Sequence, residues 1–333
     1  MFQIALIGAG RIGKIHAANI AANRRLSLAC VIDPFSGAED LARAFDTTAA
    51  NVERVWSDPA ISGVVIASST DTHLDYTLEA IRAGKHVFCE KPLDQDVARA
   101  ARVNEALVGS DQRVLLGFNR RFDPNFAALQ RRLAQGEVGR LETLHIISHD
   151  PAPPPATYIK SSGGIFKDMS IHDFDMARWL LAEEIESVFA SASVLIDPAI
   201  GEAGDFDTAK VVLRTISGKL CIISNSRRSG YGYDQRIEAF GSGGMIRADN
   251  KIETTVQKWT EGGAAADSFQ NFFLERYAEA YAIEMDHFAD VIERKAMPLA
   301  DQRDGIAALV LAEAAERSAR SNQVVNVLRG DVA

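Results

Sequence analysis

The apolar positions of this chain change their period near residue 120. Before it, short continuous apolar runs ("QIALIGAG", "LSLACVID", "GVVIASST", "HVFCEKP", "RVLLGF") alternate with stretches of helical period ("RIGKIHAANIAANR", "DTHLDYTLEAIRAGK", "DVARAARVNEALVGS"). That alternation predicts a parallel sheet covered by helices on both faces, and strands this uniformly apolar suit a sheet with no wet side. After "GFNRRFDPNFAALQRRL" the strands "RLETLHIISHD", "ESVFASASVLID", "TAKVVLRTI", "KLCIISNSR" and "QRIEAFGSGGMIRAD" carry turn residues between them, and several alternate apolar with polar. They predict a mostly antiparallel open sheet, with Ser217-Gly218 at hairpin spacing and Gly241 to Gly244 as a turn. "YAEAYAIEMDHFADVIERK" and "RDGIAALVLAEAAERSARS" read as amphipathic helices, and Asp150 to Gly164 as a proline-rich loop. The expected fold is therefore α/β. An N-terminal doubly wound domain spans residues 1–120. A C-terminal α+β domain with an open sheet spans 121–333, its last helix able to pack back on the first domain.

Composition narrows the function. The 333 residues carry 36 Lys plus Arg against 45 Asp plus Glu, a net charge of −9, with no basic block. Such a chain is a poor partner for nucleic acid or an anionic membrane. The Arg pairs 120–121, 131–132 and 227–228 read as solvated surface or as pairs with one site member. Cys30, Cys89 and Cys221 form no CxxC and read as buried thiols of a reducing compartment. No stretch approaches the roughly 18–20 apolar residues of a membrane span, and the N-terminus lacks the basic start of a signal peptide. A cytoplasmic protein is expected.

The first strand ends in Gly8-Ala9-Gly10-Arg11-Ile12-Gly13, and the first helix follows at once. A GxGxxG in that context is a dinucleotide fingerprint. Gly8 serves the tight turn, Gly10 the close approach of a pyrophosphate, Gly13 the packing of helix on strand, and the helix N-terminus offers its N–H groups to the phosphates. Asp33 ends the second strand twenty residues after Gly13, placed to accept from adenosine ribose hydroxyls. Pro34 and Phe35 follow it, with no Arg to meet a 2′-phosphate, so NAD is expected over NADP. Ser69, Thr70 and His73 follow the "GVVIASST" strand, where a nicotinamide would lie, although Thr70 or Asp71 could equally cap the next helix. Glu90 and Lys91 end another strand at the same edge, and the Lys91-Pro92 bond is a candidate cis peptide. His16 reads as packed or capping.

In "GGIFKDMSIHDFDMARWL", Asp168 and His172 are spaced i,i+4 and share a helix face. A carboxylate near a helix N-terminus can orient an imidazole as general base. Taken alone, such a pair is more often a surface pair. Beside a dinucleotide domain it gains weight: oxidising an alcohol needs a base for the hydroxyl proton, and Lys91 would stabilise the developing alkoxide. These groups would meet in an interdomain cleft. The seven histidines include no HExxH and the chain no GxSxG, so neither a metal site nor a serine nucleophile is expected.

These residues resemble the glucose-fructose oxidoreductase, inositol dehydrogenase and MocA-like family. The likeness runs from Ile4 to about Gly244 and rests on the Gly8–Gly13 fingerprint, "AGKHVFCEKP" and "GGIFKDMSIHDFDMARWL". "GFNRRFDPNF" and "NSRRSGYGYDQRIEAFGSGG" make it most similar to the inositol 2-dehydrogenases. The resemblance implies a Rossmann domain, NAD, and oxidation of a ring hydroxyl of myo-inositol to a keto-inositol, a step of its catabolism. It implies Lys91, Asp168 and His172 as the catalytic set, with His172 as base. It also implies substrate contacts from Asp175, Asn119 and Tyr233. Glu90 is grouped with the cofactor residues Gly8, Gly10, Arg11, Ile12, Gly13, Asp33, Ser69, Thr70 and His73. The family's open sheet buries one face between subunits, so a homotetramer, a dimer of dimers, is implied. Other readings are a dehydrogenase of scyllo-inositol or an aldose, and a regulator that senses NAD and sugar; the latter predicts loss of the base or the lysine, and both are here.

Overall fold

The computed structural model describes residues 1–34 and 37–327. Phe35, part of the argument for NAD, and the last six residues of the expected second domain lie outside that range. The chain divides into two compact units. The first comprises Met1–Phe122 and Glu279–Leu309, and the second Asp123–Ala278 with the chain from Val310.

The first unit holds, in order, β1 Phe2–Ile7, α1 Arg11–Ala22, β2 Leu26–Ile32, α2 Ala38–Ala44, β3 Thr48–Ala49 and α3 Val52–Ser57. Then come β4 Ile61–Ile66, α4 Thr70–Arg82, β5 His86–Cys89, α5 Val97–Leu107 and β6 Val114–Leu116, closed by a 3-10 turn at Asn119–Phe122. All pairings are parallel, in the order β3-β2-β1-β4-β5-β6. That is the doubly wound order whose reversal lies between β1 and β4. Ile4 to Ile7 and Val64 to Ile66 are wholly buried, as a sheet covered on both faces requires. α4 buries His73, Leu74, Thr77, Leu78 and Ile81, a helical stripe. Its end is set by Gly84 at φ +72, where the Gly84 N–H bonds to Ile81 O and the Lys85 N–H to Ala80 O.

The second unit begins with α6 Pro124–Ala134, β7 Leu141–His149 and α7 Ala156–Ser162. A π-helical turn, Phe166–Ser170, runs into α8 Ile171–Leu181. There follow β8 Ile185–Ser193, α9 Pro198–Glu202, β9 Thr208–Thr215, β10 Leu220–Ser226, β11 Asp234–Gly241 and β12 Gly244–Ala248, then an exposed hairpin of β13 Gln257–Thr260 and β14 Gly263–Ala266. α10 Phe273–Arg276 leads to α11 Ala278–Ile292, α12 Gln302–Ser321 and β15 Val325–Asn326. The sheet order is β12-β11-β7-β10-β9-β8-β15, antiparallel except between β7 and β10. Gly241 to Gly244 and Ser217-Gly218 are hairpin turns. The stretch Asp150 to Gly164 is not loop throughout, because α7 forms within it behind Pro155.

α11 belongs to the first unit from Glu279 onward. Its Phe288 and Ile292 fill the space left by the missing side chain of Gly63 on β4. Arg25 grips the outer side of α11 through Asp290 at 2.5 Å and Asp286 at 2.6 Å. Two of the arginine pairs depart from the surface reading. Arg120, Arg121 and Arg227 are buried, and Arg121 is held by Leu299 O at 2.6 Å and Asp304 at 3.0 Å. Arg131 and Arg132 are exposed as expected. All three cysteines are buried free thiols.

One buried ion pair anchors the start of the second unit. Asp123 caps α6, accepting from Asn125 N and Phe126 N at 3.1 Å. It also takes both terminal nitrogens of Arg276, whose guanidinium lies 5.3 Å from the Phe126 ring and 4.9 Å from the Tyr277 ring. Asp123→Ala would leave a buried cation alone and uncap a helix. A loss of about 3–5 kcal/mol in denaturant melts is expected; a change under about 0.5 kcal/mol would contradict this account of the pair.

Candidate active site

The glycine loop has the division of labour read from the motif. Gly8 sits at φ +106, and a Cβ there would lie 2.4 Å from Ala67 O. A Cβ on Gly13 would lie 2.0 Å from Gly8 O, so helix and loop meet with no room between them. Around Gly10 a Cβ would meet nothing within 4 Å. Gly10 is the N-cap of α1 and carries no side chain to close the helix end. The loop is thus tight where the chain must turn and open where a pyrophosphate would approach the N–H groups. Arg11 is exposed and Ile12 half-buried beside it. Asp33 ties this loop to β2, since Oδ2 accepts from Ala9 N at 2.8 Å. NAD therefore fits this chain: the open cradle at Gly10 would take the pyrophosphate, and Asp33 would face the ribose.

At the carboxyl edge of β4 and β5, Ser69 is the N-cap of α4 and Thr70 its first residue. Neither Thr70 nor Asp71 caps the helix. Instead Thr72 Oγ1 donates to Ser69 O at 2.7 Å and bonds to Ser68 Oγ at 2.7 Å. His73 is buried, with Nδ1 2.8 Å from Pro92 O and Nε2 3.1 Å from Ser68 O. Both ring nitrogens are engaged by main-chain carbonyls, so His73 acts on this edge by bracing the two turns. Burial pushes its imidazole below the usual value, against the pull of those carbonyls. The Lys91-Pro92 peptide is cis. Lys91 is half-buried, and Glu90, directly before it, bonds through Oε1 to His16 Nε2 at 2.7 Å.

In the second unit, Asp168 lies in the π-helical turn and His172 one residue into α8. An ordinary i,i+4 helix pair was expected. The wider π turn changes that local geometry, and such insertions recur at functional sites. Tyr158 of α7 donates to Asp168 Oδ1 at 2.9 Å, and Arg227 reaches Oδ2 at 3.4 Å. Arg227 also reaches Asp205 at 3.4 Å, whose other oxygen accepts from Ile165 N at 2.9 Å. Burial and the charge of Asp168 push the Tyr158 phenol up, so it remains a donor at neutral pH. A second chain of bonds pins the turn to β10. Ser170 Oγ donates to Asn225 Oδ1 at 2.7 Å, and Asn225 Nδ2 donates to buried Asp173 at 2.7 Å.

Asp175 is buried on α8, Tyr233 precedes β11 with its ring 6.1 Å from that of Tyr277, and Asn119 is buried in the 3-10 turn of the first unit. Tyr158, Arg227 and Asn225 were not read from the sequence as part of this site. Their only sequence signal was that an Arg pair can include one site member. Among the described residues no group of three His, Cys, Asp or Glu side chains could hold a metal, and no helix is long and apolar enough to cross a membrane.

The parallel sheet order and open glycine loop of the first unit define a dinucleotide-binding fold of the oxidoreductase class, and the similarities place the chain. Residues 2–118 match the model of the oxidoreductase family with an NAD-binding Rossmann fold, and residues 126–247 that of the GFO/IDH/MocA C-terminal domain. The chain is 45% identical over 326 residues to an inositol 2-dehydrogenase of Rhizobium meliloti, covering 98% of this chain and 99% of that one. The crystal structure of a myo-inositol dehydrogenase from Corynebacterium glutamicum superposes with a TM-score of 0.94 at 46% identity, covering 98% and 99% of the two chains. That of a scyllo-inositol dehydrogenase from Lactobacillus casei, with NAD(H) and scyllo-inositol bound, superposes with a TM-score of 0.91 at 28% identity, covering 98% and 99%. This chain belongs to the GFO/IDH/MocA family of NAD-dependent oxidoreductases.

Proposed function

We propose that the chain oxidises a ring hydroxyl of myo-inositol to the ketone, with Lys91, Asp168 and His172 as its catalytic set and His172 as base. The observation that carries this reading is full-length similarity to inositol 2-dehydrogenases in a chain that keeps all three groups and the open cradle at Gly10. NAD, when bound, supplies the acceptor for the hydride. His172 takes the hydroxyl proton as hydride leaves the carbinol carbon, and later releases it to water. The Lys91 ammonium stabilises the developing alkoxide. Asp168, held by Tyr158 and Arg227, orients the imidazole and favours its charged form. Asp175, Asn119 and Tyr233 pair with the remaining hydroxyls, and Glu90, Ser69, Thr70 and His73 shape the nicotinamide end. A site that pairs with several hydroxyls rejects analogues lacking one.

We assign cofactor binding to the first domain and substrate binding and subunit contact to the second, in a cytoplasmic homotetramer built as a dimer of dimers. One face of the seven-stranded sheet supports the assembly. Val212, Ile222, Leu220, Phe240 and Met245 are each between 38 and 49% exposed, and the register pairs Ile222 with Val212 and Phe240 with Met245, with Thr143 of β7 between Leu220 and Phe240. Exposed large apolar side chains grouped on one sheet face support an interface there. Ile222→Asp with Phe240→Asp is expected to convert a tetramer to smaller species in light scattering; an unchanged mass would remove this face from the assembly.

The reaction itself is tested by NADH absorbance with NAD and myo-inositol, scyllo-inositol, glucose or galactose. The highest kcat/KM is expected for myo-inositol. A higher value for scyllo-inositol or an aldose would replace the substrate while keeping the chemistry. No NADH with any polyol would overturn the reading.

A further inference from the structure

Glu284 is the most unusual titratable group in the first unit. It lies in the middle of α11 with no exposed surface, and neither carboxyl oxygen has a hydrogen-bond partner among the described residues. A buried carboxyl in that state is costly to keep, so its retention calls for a reason. Burial pushes it well above the usual carboxylate range, and the charge of Glu90 pushes the same way. Glu90 is the residue before Lys91. Its other neighbour is His16, also without exposed surface, which bonds to Glu90 Oε1 at 2.7 Å. The His16 ring is fixed edge-on by Phe88 at 4.9 Å and Tyr281 at 5.9 Å, one from β5 and one from α11. On its far side Glu90 lies against Gly117, where a Cβ would come within 2.9 Å of Oε2. The titratable groups that α1, β5 with the residue after it, and α11 bring here are His16, Cys89 with Glu90, and Tyr281 with Glu284. Cys89 is a buried thiol pushed up by the same dryness.

We infer that Glu284, Glu90 and His16 form a buried positioning cluster for Lys91, in which Glu284 sets the Glu90 side chain against His16 and so fixes the backbone from which Lys91 springs. α1 and α11 contribute one member each, and the residue just after β5 the third. Tyr281, one turn before Glu284 on α11, meets the His16 ring, so this helix face lies against the His16–Glu90 pair; a neutral carboxylic acid at 284 would offer that pair a donor, and an apolar residue would offer none. This inference rests on the catalytic role proposed for Lys91.

The test uses full-length wild type, Glu284→Gln, Glu284→Leu and Lys91→Met, assayed for kcat, both KM values and NAD affinity. Glu284→Gln keeps a neutral donor, and kcat is expected within about threefold of wild type. Glu284→Leu is expected to lower kcat about tenfold or more with both KM values within about twofold, the pattern of an interaction made in the transition state. Wild-type kcat in Glu284→Leu, or an equal loss in Glu284→Gln, would overturn the cluster. If the leucine variant does not fold, Glu284→Asp draws the carboxyl back by one methylene and should show the same loss of kcat at an unchanged melting temperature; wild-type kcat there overturns it too. Lys91→Met separates the two claims, since activity surviving that change sinks the role of Lys91 itself. Melts give an independent sign. The unfolded carboxyl ionises above about 4.3, so the wild-type fold loses stability as pH rises from there toward the folded value. Glu284→Gln removes that loss, and its gain in melting temperature over wild type should be larger at about pH 8 than at about pH 5.

Discussion

His172→Ala is expected to lower kcat for myo-inositol by a factor of about 10²–10⁴, the usual contribution of a positioned acid–base group. NAD affinity should stay within about twofold, because the cradle residues Gly8 to Gly13 and Asp33 belong to the first unit and His172 to the second. The fold should survive as well, since the imidazole is only half-buried, and Asn225, Ser170 and Asp173 hold the turn by themselves. Asp168→Asn makes the comparison sharper. It keeps the acceptor for Tyr158 but removes the charge beside the base, so activity should fall and its acidic limb should move to lower pH as the imidazole loses its partner's pull on the proton. Stopped-flow absorbance across pH reads both effects. Undiminished turnover in His172→Ala would remove the base from the mechanism.

The second large effect separates two glycines three residues apart. Gly13→Ala puts a methyl 2.0 Å from Gly8 O and 2.9 Å from Gly8 C, backbone atoms that cannot swing aside. Overpacking of this kind reaches or exceeds about 1–3 kcal/mol, and here it also displaces the helix end that would meet the pyrophosphate. Gly13→Ala is therefore expected to lose both stability and NAD binding. At Gly10 a methyl meets no protein atom within 4 Å. Gly10→Ala should melt like wild type and still bind NAD at least about tenfold more weakly, a loss of about 1.4 kcal/mol. Thermal melts with and without NAD distinguish the two variants. Equal NAD affinity in Gly10→Ala would place the pyrophosphate elsewhere.

Much of the fold was legible because strong patterns carried it. The continuous apolar runs of β1, β2, β4, β5 and β6 could be nothing but strands covered on both faces, and Gly8 to Gly13 fixed where the first turn lay. The elements that escaped were those held by context. β13 and β14 are exposed along their whole length and have an alanine-rich second strand, so no alternation marked them. β3 and β15 are two residues each, and α7 forms inside a segment whose prolines suggested a loop. The candidate residues of the site were easier to pick out than their supports. Asp168 and His172 announced themselves by spacing, whereas the π turn that carries Asp168 has no sequence period to read. The supports of Asp168 come from α7 and the end of β10, and Glu284 lies nearly two hundred residues from Glu90. Only folding brings such residues together, and a buried arginine such as Arg227 looks like a surface one in a sequence.

The most direct test of the account is to supply myo-inositol deuterated at its ring carbons and analyse the reduced nicotinamide by NMR. Direct transfer of hydride from the carbinol carbon predicts one deuterium per NADH formed, on one face of the ring, with unlabelled water as solvent. NADH that forms without deuterium, or carries it only when the solvent is deuterated, would contradict the central claim.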